Sequence, residues 1–485
     1  MHVTPMQPVG EAPVLLWFRN DLRLADHAAL NAAAATCRPV VPVFVLDETL
    51  AGVWMPGRAS RWWLHHSLAA LARQLGAQGC VLVLRRGRAD AEIERLVEET
   101  GAAGVFAGCA VEPWARAVDE RLATSLAGRE FGFRRVRTTT LFDPDALRTQ
   151  AGGAFGVYSP FCRAAFAAGG PAPPAASQRM RPAALRLPSD RLDDWNLLPG
   201  DPSEMRELQE TWTPGEAGAR ARLDAFIAEK LSGYMVQRDR LGADGTSMLS
   251  PHLHFGEISA AQTWHAVIAT GPGRDSDKFL RELLWREFSM HLLWHHPDLP
   301  ERPLRPGFAG MRWRRDPAGL SAWQEGRTGV PIVDAGMRQL RQIGWMHNRT
   351  RMIAASFLVK HLLISWQLGE AWFWDRLVDA DLANNSASWQ WVTGCGTDPA
   401  PYFRVFNPVL QSKKLDPDGA YIRRWLPELA ELGDDFIHAP WEVPATALRR
   451  AGVELGRSYP RPIVDLSAGR LRAMDAYAAM SRGTA

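Results

Sequence analysis

The sequence predicts three parts in order. These are an α/β N-terminal, Rossmann-like domain with a parallel sheet over residues 1–140, a long linker over 141–205, and a large all-α C-terminal domain over 206–485. Three observations predict it. Short apolar, β-branched runs alternate with helical patterns up to residue 140, Pro and Gly then recur without periodicity, and helical spacing dominates to the end.

The strand-like runs are VLLWF (14–18), VVPVFVL (40–46), CVLVL (80–84), GVFAG (104–108) and FRRVRTTT (133–140). Between them lie amphipathic stretches such as SRWWLHHSLAALARQL (60–75) and DAEIERLVEET (90–100). Such alternation implies right-handed βαβ units and a parallel sheet. No GxGxxG follows the first strand and no GxxxxGK[ST] occurs, so neither phosphate-binding fingerprint is present. The segment 141–205, with GGPAPPAA at 169–176 as its extreme, reads as a connection wrapping the surface. After it, residues 220–231, 277–296 and 349–366 carry apolar side chains at i, i+3, i+4. No internal repeat is evident.

At 485 residues, 46% hydrophobic and 22% charged, the chain has the composition of a soluble globular protein of two or three domains. No apolar run reaches the roughly 18 residues of a membrane span, and the first residues lack the basic and apolar regions of a secretion signal, so a cytoplasmic location is expected. Five scattered cysteines without a CxxC pair suit buried small side chains better than a disulfide framework or a zinc site. Net charge is only +3, but residues 301–360 hold 11 Lys/Arg against 4 Asp/Glu and residues 401–424 hold 5 against 2. That regional excess suits a polyanion, although with only five lysines in the chain the arginines also fit a codon bias. Twenty tryptophans are more than core filling needs, which leaves some rings for another task.

Several stretches carry residues suited to chemistry. DADLANNSASWQWVTGCG (379–396) puts two carboxylates, two amides and two tryptophans together with no local cation. On 277–296, Glu282, Trp285, Arg286 and Ser289 share one helical face, a ring flanked by an acid and a base that could hold a planar group; an ordinary ion pair beside a half-buried ring is the plainer reading. In WMHNRTRM (345–352), Asn348 and Met352 share a face beside Arg349 and Arg351, which suits a nucleobase or cofactor edge as well as a helix N-terminus. In GTSMLSPHLHFGEIS (245–259), Thr246, Ser247 and Ser250 precede a helical pattern, an arrangement open to anion binding or plain capping. His291 and His295, and likewise His252 and His254, lack an HExxH context, and no metal site is expected.

Taken together, WFRNDLRLAD (17–26), GTSMLSPHLHFGE, ELLWREF, WMHNRTRM, DADLANNSASWQW and GTDPAPYFRVFNP resemble the photolyase/cryptochrome family, most closely its bacterial cyclobutane pyrimidine dimer (deoxyribodipyrimidine) photolyases. The resemblance implies an antenna-type α/β domain and a helical domain binding FAD and DNA. It implies light-driven repair by electron transfer from excited FADH− to a dimer flipped out of UV-damaged DNA. It places Tyr234 and the run Thr246, Ser247, Met248, Leu249 and Ser250 at the phosphates and ribityl chain, and Asp379 and Asp381 at the flavin, with Arg286 as their cation. Asn385 would face flavin N5, where a neutral amide accepts a hydrogen bond and cannot surrender a proton. Trp389, Trp366 and Trp313 would form an electron-hopping chain to solvent. Glu282, Trp285, Asn348, Arg349, Met352 and Trp391 would meet the lesion, Asn348 also bordering the flavin, with Arg238 and Gln411 near the DNA.

Two departures bear on these expectations. Phe279 stands where related enzymes often have Trp, and Trp114-Ala115 stands where folate-binding relatives have Asn-Glu, so a second antenna chromophore is left without an identity. A cryptochrome-type blue-light photoreceptor and a (6-4) photolyase are the alternatives within the family. Asn385 and Met352 argue for dimer repair, and the expected protein is a monomer without an obligate protein partner.

Overall fold

Five strands pair as a wholly parallel sheet in the order β3-β2-β1-β4-β5. They are β1 Val14–Phe18, β2 Pro39–Leu46, β3 Val83–Arg86, β4 Gly104–Gly108 and β5 Gly132–Val136. These elements belong to a computed structural model that describes residues 11–49, 52–200, 202–397 and 403–483. The inner strands β1, β2 and β4 read as apolar runs because both faces are covered, whereas the edge strand β5 carries Arg134 and Arg135 exposed. Leu15 and Trp17 of β1 enter one core with Ile93 and Leu96, while Val14, Leu16 and Phe18 enter another with Trp62, Trp63 and Leu68. The strand expected over 133–140 ends at Val136. The Thr138 hydroxyl donates to Asp21 Oδ2 at 2.8 Å and its carbonyl accepts from Arg23, which draws the chain out of the ladder.

The linker is more structured than its composition suggests. It contains the helix α1 Tyr158–Ala167, whose inner face buries Tyr158, Phe161, Cys162 and Ala165. Its residues Arg181–Pro182 pair in parallel with Pro39–Val40, extending the sheet beside β2.

The helices that matter most for the site are α2 Arg274–His295, α3 Asn348–Ser356, α4 Trp366–Arg376 and α5 Leu382–Thr393. Towards the C-terminus follow α6 Pro408–Leu415 and α7 Leu466–Gly483. No helix is long and apolar enough to cross a membrane among the described residues. All five cysteines are free thiols. His291 Nε2 accepts from Phe155 N at 3.0 Å and the ring lies 4.5 Å from that of His295, so this pair is engaged in packing.

The sheet and the helices share a core rather than meeting at a wet seam. The cluster under β1 and β2 includes Phe255, Trp345 and Val378 from the helical part. Buried and half-buried charged side chains tie the two. Arg23, 1% exposed, donates to the carbonyls of Gly256, Thr138, Asp26 and Ala25 at 2.8–3.0 Å. Glu216 accepts from Leu24 N and Ala25 N at 2.8 and 3.1 Å, and Glu257 accepts from Trp63 Nε1 at 2.9 Å. The motif WFRNDLRLAD is thus largely a docking loop.

Glu287 on α2 does the same for the linker, accepting from Leu141 N and Phe142 N at 2.9 Å each. Replacing it by Ala strands two buried N–H donors. Glu287→Ala is expected to lower unfolding stability by roughly 2–4 kcal/mol in denaturant titrations, whereas Arg457→Ala at an 83%-exposed side chain should change it little.

Candidate functional site

The helices α2, α3, α4 and α5 enclose a cavity of about 540 Å³. Most of the expected side chains converge on it. From the segment before α2 come Tyr234, Arg238, Ser247, Leu249 and Ser250; from α2 come Glu282, Trp285 and Arg286. Asn348, Arg349 and Met352 reach it from α3, and Asp379, Asp381, Asn385, Trp389 and Trp391 from α5 and the turn before it. Thr246, Met248, Trp313, Trp366 and Gln411 do not line it.

Asp379 and Asp381 sit where α4 turns into α5, and they differ in their partners. Asp379 Oδ2 accepts from Arg351 at 2.8 Å, while Asp379 Oδ1 is buried with no protein donor. Arg286 was expected to neutralise this pair. Its guanidinium instead donates to the carbonyls of Thr139 and Leu253 at 3.1 and 3.2 Å, so it acts on Asp381 through charge, and the direct cation of Asp379 is Arg351. The sequence had shown Arg351 only as positive charge on the next turn from Asn348; nothing in it revealed a pairing across 28 residues.

Asp381 caps α5, accepting from Asn384 N at 2.8 Å, and its Oδ2 lies 3.9 Å from His254 Nδ1. Burial alone would raise its carboxyl, but the adjacent His254 imidazole, the Arg286 charge and the Asn384 N–H outweigh burial and bring it down to about 2.

One turn into α5, Asn385 is 8% exposed and its Nδ2 donates to the carbonyl of Glu370 on α4 at 3.1 Å. That bond uses one of the two Nδ2 hydrogens and fixes the amide at the cavity wall, with Oδ1 and the second N–H not engaged by it. Glu370 beneath it is fully buried and accepts from Ser386 Oγ at 2.5 Å, and burial drives its carboxyl well above the usual range. The neighbouring Trp389 packs where α4 carries Gly369: a Cβ there would lie 2.1 Å from Trp389 Cη2. Trp389 makes ring pairs with Phe373 at 5.0 Å and Trp323 at 6.2 Å. Trp366 and the half-buried Trp313 belong to the same apolar cluster as Trp389.

The opposite wall is polar and aromatic. Glu282 pairs with Arg238 and with Lys278 (3.0 Å) through Oε1. Arg349 makes a bidentate pair with Asp239 at 2.8 Å and lies 3.8 Å from Met352 Sδ, so it is a fixed element of the wall. Trp285 stacks on Tyr158 of α1 at 3.5 Å and 9°, and the Tyr158 hydroxyl donates to Arg281 O at 2.7 Å. Sequence reasoning missed Tyr158, which lies in the segment read as linker.

The run 246–250 is only partly as expected. The helix it opens, Ser250–His254, has five residues, too short for a substantial dipole at its start. Met248 adopts φ 49°, a left-handed turn that sends its side chain into the core under the sheet and not into the cavity. Ser250 Oγ accepts from Trp345 Nε1 at 3.2 Å. Asn348 begins α3 and His347 is its cap, accepting from Arg349 N at 3.1 Å. Gln411 lies on α6 in a separate cleft. Of the motif at 396–408, residues 398–402 lie outside the described residues.

Residues 14–178 match the family described as DNA photolyase, and residues 279–479 match the FAD binding domain of DNA photolyase. The chain is 47% identical over 477 residues to the deoxyribodipyrimidine photo-lyase of Agrobacterium fabrum, covering 98% of this chain and 99% of the relative. The chain belongs to the photolyase/cryptochrome family. Its fold superposes with a TM-score of 0.94 on a bacterial class III photolyase from Agrobacterium tumefaciens, 46% identical, with 99% of this chain and 100% of the other covered. Cryptochrome-1 of Arabidopsis thaliana is 35% identical, over 96% of this chain and 70% of the relative.

FAD is therefore the cofactor of the helical domain, and the cavity fits it. Asp379 Oδ1, a buried carboxylate oxygen without a donor among the described residues, calls for one from what fills the space, and the Asn385 amide is held at the same wall by Glu370 O. A second cavity of about 240 Å³ opens between the sheet and the helices, lined among others by Trp54, Trp114, Ala115 and Trp374. It shares His254 and Asp381 with the first.

Because the Asp381 carboxyl is held low in the folded state, its stabilising contribution is complete above about pH 4 and is lost as pH falls towards 2. Asp381→Asn keeps the cap acceptor and removes the charge. The variant is expected to be less stable than the parent by about 2 kcal/mol at neutral pH, the gap closing below pH 4 in urea titrations across that range.

Proposed function

We propose that this protein repairs cyclobutane pyrimidine dimers in UV-damaged DNA using light, as a deoxyribodipyrimidine photo-lyase. FAD, when bound in its reduced form, supplies the photoexcited electron that opens the cyclobutane ring and receives it back. The observation that carries the reading is that one cavity joins the Asn385 amide to the Trp285 and Glu282 side chains, so flavin and lesion would share one water-poor space.

Each wall then has a task. The Asn385 amide, oriented by Glu370 O, offers an acceptor towards N5 of the flavin and carries no proton of its own to give. The Asp379–Arg351 pair sets a fixed negative edge with one oxygen left to accept, and Asp381 remains ionised beside it. Tyr234, Ser247, Leu249 and Ser250 border the phosphate and ribityl side, with Thr246 and Met248 shaping the turn behind them. Trp285, backed by Tyr158, presents a rigid ring against which a flipped-out dimer rests, with Trp391 and Met352 closing the pocket. Glu282, anchored through Oε1, is the acceptor for the pyrimidine edges. Arg238, Asn348 and Arg349 hold this wall in place. Trp389, Trp366 and Trp313 serve the reduction of oxidised flavin, with rings oxidised in sequence towards the surface. A second chromophore of unassigned identity has room in the smaller cavity behind Asp381.

Identity to a photolyase at 47% against 35% to a plant cryptochrome supports repair over signalling. In this reading the protein acts in the cytoplasm as a monomer, without an obligate protein partner. Illuminating reduced protein with a dimer-containing oligonucleotide and following restored pyrimidines by chromatography tests it; activity on (6-4) lesions alone, or on neither lesion, refutes it. Trp285→Ala should weaken binding to dimer-containing DNA about tenfold while flavin absorbance per protein stays unchanged. Trp313→Phe should slow photoreduction of oxidised flavin, measured by the loss of its visible absorption, without altering repair by protein reduced beforehand.

A further inference from the structure

A cleft of about 520 Å³ lies between the loop 403–407, α6 and the face of α7. It contains no Asp or Glu in its lining, but it has two arginines, Arg404 and Arg470, neither of which pairs with a carboxylate among the described residues. Two unneutralised guanidinium groups in one concave site are a demand for an anion.

The rest of the cleft is aromatic and built to stay in place. Phe403 is held on both faces: Lys360 Nζ lies 3.3 Å from its ring centroid, and Tyr477 of α7 stacks on it at 4.3 Å and 9°. Lys360 is itself 1% exposed and donates to Thr393 O at 2.6 Å, so the stack is anchored in the protein interior. The Arg404 guanidinium lies 5.0 Å over the Phe406 ring. Asn407 Oδ1 accepts from Val409 N and Leu410 N at 3.0 and 3.1 Å, which leaves its amide N–H groups as donors. Leu410 and Met474 stand 62% and 37% exposed at the edge.

Cationic groups interleaved with aromatic rings and amide donors are the chemistry that recognises a nucleotide: phosphate by guanidinium, base by ring and amide. The volume lies in the range of single small-ligand sites. We propose that this cleft binds one unpaired nucleotide of the DNA substrate, its phosphate taken by Arg404 and Arg470 and its base by Phe406 and Tyr477. The C-terminal helix α7 thereby becomes part of the DNA footprint. The proposal rests on the repair function above, since a free DNA strand segment is available only if DNA is the substrate.

The test uses the full-length, FAD-loaded protein and fluorescence anisotropy with a labelled dimer-containing duplex and an undamaged single strand. Arg470→Glu and Arg404→Glu should each weaken binding to both probes about tenfold and lower the salt dependence by about one phosphate. Arg470→Lys should bind nearly as the parent, and Arg457→Glu, an exposed reversal outside the cleft, sets the background for net charge. Flavin content and repair yield at saturating DNA should be unchanged in all four, because none touches the central cavity. Phe406→Ala should weaken the single strand more than an intact duplex.

If both reversals bind no worse than Arg457→Glu while the parent still prefers damaged DNA, the cleft assignment is wrong and the repair function stands. If the parent shows no preference for the dimer, the repair function fails, and the single-strand probe alone then judges the cleft. Tight binding of free dAMP that is lost in Arg470→Glu, with DNA affinity intact, would overturn the proposal in favour of a small-molecule site.

Discussion

The central cavity depends on charge that has been taken out of water where the sheet meets the helices. Arg23, Glu257 and Glu287, all buried, and the half-buried Glu216 are ionisable side chains committed to backbone, indole or imidazole partners around that junction. Such groups are costly to bury unless every partner is in place. Their cost makes partial docking unfavourable, so the α/β part and the helices settle in one arrangement. The walls of the cavity inherit that precision, because Asp381 and His254 belong at once to the helical site and to the junction.

Within the cavity, neighbouring positions are kept electrically distinct. Asp379 has a cation and Asp381 has an imidazole and a helix start, while Asn385, one turn on, has neither and needs neither. Burial raises the carboxyl of Glu370 beneath Asn385 well above the usual range, which disfavours a second negative charge below the amide. The gradient from charged to neutral runs along one short stretch, and the Gly369–Trp389 contact presses α4 and α5 close enough to keep it narrow.

Much of this was legible in the sequence. The inner strands could be read because burial on both faces leaves apolar residues there, and 14–18 and 104–108 have the same limits in the structure. The site residues on α2, α3 and α5 could be read because each helix carries its own motif. What escaped was contact between distant segments. The Asp379 cation was assigned to Arg286, and Arg351 holds the pair, because helical spacing gives the face of a helix but not which neighbour reaches it first. Tyr158 was invisible for the same reason: its partner Trp285 is 127 residues away, and α1 is framed by Pro and Gly that mask its periodicity. The run 246–250 reads as one unit in the sequence, but the left-handed backbone at Met248 turns that side chain into the core, which no local pattern reveals.

The common boundary at His254 and Asp381 has a further consequence. The carboxylate and the imidazole that border the smaller compartment also border the larger one, so a change of charge at either residue acts on both spaces at once. A substitution there that suits whatever fills the smaller space would also retune the electrostatics of the flavin site next door.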